Sequence, residues 1–161
     1  MLAGSIINRL GFALADARLF YDRWVYPIRE LASGQELMIR EALQPLTSRT
    51  LLTRQQVVGS TDVTTTYDPQ TIDVSRILEM MMFHQMAGGR EYTADLVNRY
   101  LRFCDLSGHL TAGRAILVAR AANSGSELTV DGRPVDGPDD QRWVYYRVVL
   151  PVQRGEEGRA R

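Results

Sequence analysis

The sequence predicts an α+β fold, with a long N-terminal helical arm followed by a mainly antiparallel sheet that carries a central helical pair. Three observations predict it. An apolar stripe at helical spacing runs through residues 5–33, Thr- and Val-rich runs are punctuated by turn dipeptides, and strand-like segments flank two helical patterns without regular β–α alternation. The chain has 161 residues, of which 45% are hydrophobic and 24% charged, values that suit a packed domain rather than a disordered chain.

The arm is read from Ile6, Leu10, Ala13, Ala17, Phe20, Trp24, Ile28 and Leu31, which recur at intervals of three and four and so share one helix face. Pro27, which has no N–H and crowds the preceding turn, is expected to kink this helix near Val25. Gly34 reads as a C-cap, and residues 35–43 as a further short helix before Pro45. The arm thus occupies 1–45 and an α+β domain 46–152, with a polar, disordered tail over 153–161.

Within that domain, residues 50–58 and 61–67 read as two strands joined at Gly59-Ser60. Asp73 can cap a helix over 74–86 that stops at Gly88-Gly89, and Thr93 can cap a second over 94–104 that ends before Ser107-Gly108. The unbroken apolar run 115–119 suits a buried strand. Asp131-Gly132 is the strongest short hairpin signal in the chain. Residues 142–152, apolar on both faces and containing Trp143, Tyr145 and Tyr146, read as a strand central to the sheet.

Composition narrows the function more than any motif does. The 19 Lys+Arg residues are all Arg, which excludes a Schiff-base lysine, a pyridoxal-phosphate anchor and a Walker lysine. The formal net charge is +0 and no basic stripe appears, so no nucleic-acid partner is expected. A single Cys, Cys104, excludes an intrachain disulfide. No cleavable leader and no apolar run of membrane-spanning length is found, so the expectation by elimination is cytoplasmic, with no integral membrane span.

Two readings of function follow from different residues. The first is a non-enzymatic interaction or scaffold subunit, whose amphipathic arm self-associates or docks on a partner complex. Its candidate interface is Phe12, Phe20, Tyr21, Trp24, Ile28 and Leu31, joined by Met81, Met82 and Phe83 of a Met-rich patch, because aromatic, Met and Arg side chains are enriched at interface cores. The blander account of both groups is core filling. The second reading is a small enzyme or ligand-binding domain built on Cys104, His84 and His109, or on Gly88-Gly89-Arg90 as an anion cradle. Against it, Cys104 falls on an apolar helix face, where a thiol acts as an inert hydrophobe. Peripheral membrane contact through Tyr21, Trp24 and Tyr26 is a third reading, weakened by Asp16, Asp22 and Glu30. No cofactor and no metal site is expected: the acidic Asp131, Asp136, Asp139 and Asp140 lack calcium-loop spacing, and a structural zinc site lacks ligands.

Overall fold

The N-terminal segment is β-sheet, not helix, in the computed structural model. The structure describes residues 2–39, 43–53, 74–89, 104–121, 129–134 and 144–153, with the backbone of 56–58 and 61–63. Strands β1 (Ser5–Ile7), β2 (Leu14–Tyr21), β3 (Trp24–Leu31), β4 (Glu36–Met38) and β5 (Leu46–Thr47) come first. Helix α1 (Ser48–Thr53), strands β6 (Gln56–Val58) and β7 (Thr61–Val63), and helices α2 (Val74–Met82) and α3 (Ser107–Thr111) follow. Strands β8 (Ala115–Ala121), β9 (Thr129–Val130), β10 (Arg133–Pro134) and β11 (Val144–Leu150) complete the order. Among the described residues the fold is therefore mostly antiparallel β-sheet, and their helices are short.

The principal sheet has five strands in the order β11-β8-β2-β3-β5, and β1-β4, β6-β7 and β9-β10 form two-stranded ladders. A two-residue turn at Asp22-Arg23, with Asp22 at φ 52, joins β2 to β3. Two interruptions explain why this hairpin carries a helix-like pattern. Inside β2 the buried residues are Leu14, Ala17, Leu19 and Phe20, and inside β3 they are Val25, Tyr26, Ile28 and Leu31. The step of three from Leu14 to Ala17 spans Asp16 at φ 47, and the step of three from Ile28 to Leu31 spans Arg29 at φ 68. At each of these residues the backbone turns left-handed, and the buried positions step by three there instead of two, which shifts the alternation of faces. Alternation with such slips imitates a helical period.

Pro27 lies within β3 rather than at a helix kink. Strand β5 pairs only with Trp24 and Val25, through Trp24↔Thr47 and Val25↔Leu46, so Pro27 sits beyond that ladder and its missing N–H costs no bond to β5. The predicted helix over 35–43 begins instead as β4, whose register on β1 is Ser5↔Met38, Ile6↔Leu37 and Ile7↔Glu36. Thr50 to Thr53 are helical and not strand.

The chain divides into two compact units. One comprises Met1–Leu19, Tyr26–Gln44 and Leu117–Val148. Its core includes Leu14, Leu19, Tyr26, Leu31 and the β8 residues Leu117 to Ala119. The buried Tyr26 hydroxyl accepts a bond from the Leu2 amide at 2.9 Å, which fixes the start of the chain. Buried Asn8 holds the turns together. Its Nδ2 donates to the Phe12 and Leu31 carbonyls, both at 2.9 Å, and its Oδ1 accepts from Leu10 N at 3.0 Å.

The other unit comprises Phe20–Val25, Pro45–Ile116 and Val149–Arg161. Fully buried Phe20 and Phe83 stack with centroids 4.0 Å apart, a contact worth about 0.5–1.5 kcal/mol beyond the burial itself. Helix α2 begins at Val74 as predicted and ends at Met82, four residues short of the prediction; the chain then turns to Gly88 (φ 107) and Gly89 (φ 63). The second predicted helix, over 94–104, lies outside the described residues except for Cys104, and the described helices form no central pair. Ser107-Gly108 opens α3 instead of breaking the chain. The Asp131-Gly132 hairpin is present, with Arg133↔Val130 paired, and β6 and β7 form the predicted ladder on either side of Gly59-Ser60. Strand β8 is buried at every position but Arg120, as its apolar run implies.

Candidate interaction edge

Strand β11 reverses an expectation. Its residues, apolar on both faces, predict a central strand, yet among the described strands it ends the sheet, bonded to β8 on one side. Val144, Tyr145 and Tyr146 are half-buried, and Tyr146 meets Phe12 at 5.4 Å between ring centroids. Arg147, Val148 and Val149 are exposed, the two valines by 41% and 38%, before Leu150 and Pro151 close the strand. Apolar residues on both faces of an outer strand signify uncovered surface rather than burial from two sides. The opposite edge differs: β5 has only 2 residues, with exposed Leu46. A short edge offers little to a visiting strand, whereas a long one presents a row of N–H and C=O groups.

The residues predicted as an interface differ in exposure. Phe20, Ile28, Leu31, Met82 and Phe83 are buried, while Phe12, Tyr21, Trp24 and Met81 are half-buried. Arg23 lies over the Trp24 ring at 5.2 Å, a cation–π contact beside the β2–β3 turn. The residues that sequence reasoning passed over are Val148 and Val149. Their position at the edge depends on which strand β8 pairs with, and β2 lies far from both in the chain.

His84, Asp105 and His109 lie in one unit, around a clasp between the end of α2 and the start of α3. The Asp105 carboxylate accepts from Gln85 N at 3.0 Å and from Ser107 N at 2.9 Å. The Ser107 hydroxyl accepts from Met86 N at 3.1 Å, and Leu106 N donates to the Met82 carbonyl at 2.7 Å. Gly89 N donates to the His84 carbonyl at 2.9 Å. Asp105 therefore secures backbone on both sides of the clasp, and half-buried Cys104 directly precedes it. Among the described residues no group of three or more His, Cys, Asp or Glu side chains is placed to hold a metal ion. Among them, too, no helix is long and apolar enough to cross a membrane.

No curated protein and no solved structure matches the chain. One family model does match, over residues 1–145, which is most of the length and includes every strand of the principal sheet except the greater part of β11. The chain belongs to that family, described as a domain of unknown function (DUF8725).

Proposed function

We propose that the chain is a non-enzymatic interaction subunit that docks on protein partners through the β11 edge of its sheet, with no helical arm involved. One observation carries the reading: a seven-residue strand, outermost among the described strands of its sheet, whose exposed stretch is Arg147, Val148 and Val149. Natural sheets blunt their edges with short strands, charges or a covering element. Within β11 only Arg147 is charged. Pairing of such an edge with an incoming strand supplies main-chain hydrogen bonds for affinity and alternate side chains for specificity.

The test is a lysine at the centre of the exposed stretch. In native extract the wild-type chain should run in an assembly above its monomer mass, and Val148→Lys should run as the monomer while keeping the wild-type circular-dichroism spectrum. A wild-type chain that runs alone, or an assembly indifferent to Val148→Lys, would sink the reading.

A further inference from the structure

We propose that Asp131-Gly132 is a site of spontaneous isoaspartate formation, gated by opening of the β9–β10 hairpin, and that the product prevents the hairpin from closing again. The reacting groups are the Asp131 side-chain carboxyl and the Gly132 amide nitrogen, and no enzyme or cofactor is needed.

The Gly132 nitrogen attacks Cγ of the protonated Asp131 carboxyl. A C–N bond forms, and the carboxyl hydroxyl leaves as water with the amide proton. Water then hydrolyses the resulting five-membered succinimide at either carbonyl. Cleavage between Cγ and nitrogen restores aspartate. Cleavage between the main-chain carbonyl carbon and nitrogen gives isoaspartate, whose main chain runs through Cγ. No electrons are exchanged, and the water lost is regained. Glycine leaves the nitrogen unshielded, and a Cβ placed at 132 would meet no heavy atom within 4 Å.

The fold decides when this can happen. Val130 pairs with Arg133, so the loop has two residues, and Asp131 and Gly132 have φ 51 and φ 73. Positive φ at both central positions defines a type I′ turn. In such a turn ψ of the first central residue is about +30°. The Asp131 Cβ and the Gly132 nitrogen then lie on nearly opposite sides of the Cα–C bond, whereas ring closure needs them on the same side. The closed turn therefore blocks the reaction.

Little holds the turn shut. Its ladder consists of Arg133↔Val130 and Pro134↔Thr129, and Pro134 has no N–H to add. Every residue from Thr129 to Pro134 is exposed, Val130 by 58%, so none of these side chains anchors the hairpin in a core. A short two-stranded ladder without a buried face is marginally stable in water, and segments with few buried contacts open readily. Isoaspartate then makes the opening permanent. It adds a methylene to the main chain between Val130 and Gly132, so a two-residue turn no longer sets Arg133 opposite Val130.

The test follows isoaspartate at Asp131 by peptide mapping and mass spectrometry. The purified full chain is held at neutral pH and physiological temperature beside a synthetic peptide of residues 128–135. Mapping separates this site from Asp136-Gly137, which lies outside the described residues. The chain should convert about ten- to a hundredfold more slowly than the peptide, yet detectably by the time the peptide reaches its plateau. Val130→Gly, at an exposed position, weakens the ladder without touching the core and should bring the rate of the chain toward that of the peptide. Equal rates in wild-type chain and peptide would mean that the turn is no barrier. No isoaspartate in the chain at the peptide's plateau would mean that the hairpin does not open. A Val130→Gly chain no faster than wild type would mean that opening is not the gate. Each of the three overturns the proposal.

Discussion

Asn8 shows how much one polar side chain can hold in place. Its amide is buried and meets two carbonyls and one N–H, while its own backbone N donates to the Gln35 carbonyl at 3.0 Å and its carbonyl accepts from Gly34 N at 2.7 Å. Removing the side chain leaves the Leu31 carbonyl without this buried donor, and an unsatisfied buried group costs about 1–3 kcal/mol. Asn8→Ala should therefore lower the free energy of urea unfolding by roughly 2 kcal/mol. Asn8→Asp should lower it further, since a carboxylate would then face two carbonyl oxygens. A loss below about 0.5 kcal/mol for both, the range of ordinary surface changes, would show that the network is not formed. In the sequence Asn8 reads as one more polar residue off the apolar stripe, because nothing local reveals that its partners come from Phe12 and Leu31.

At the scale of elements, legibility followed the range of the interaction. The Asp131-Gly132 hairpin, the buried run of β8, the β6–β7 ladder and the start of α2 were readable, since each is set by turn chemistry or by a short unbroken pattern. The β2–β3 hairpin was not. Leu, Ala and Arg in β2 are good helix formers, so local propensity argued for the wrong element and tertiary pairing overrode it. Asp16 and Arg29, at equal chain distances on either side of the Asp22-Arg23 turn, then added slips of one residue that disguised the alternation. Pro27 was the contrary signal, taken for a kink. The two architectures make opposite predictions at Asp22. Within a helix, glycine would cost about 1 kcal/mol. In the hairpin Asp22 has φ 52, so Asp22→Gly should be neutral or stabilising in thermal unfolding. Asp22→Val should lose about 1–2 kcal/mol, the cost of a left-handed backbone for a residue with a Cβ. Equal effects of the two changes would contradict the turn.

For the whole molecule, the arm, its kink and the central place of the last strand were misread, while the antiparallel character of the sheet was legible. The location of the candidate edge was not, because an apolar strand looks the same in sequence whether it is covered on both sides or bare. Strand order decides that, and strand order is a property of distant segments.

The place of β8 between β11 and β2 has a consequence for biosynthesis. The β2–β3 hairpin leaves the ribosome early, but the neighbour that seals the free flank of β2 is encoded at Ala115–Ala121. Until that segment is synthesised, Leu19 and Phe20 belong to a half-built sheet, and the closure that completes it spans most of the chain. Distant pairings of this kind slow folding and prolong exposure to wrong neighbours. A nascent chain arrested before Ala115 should therefore be more dependent on chaperones than the finished protein.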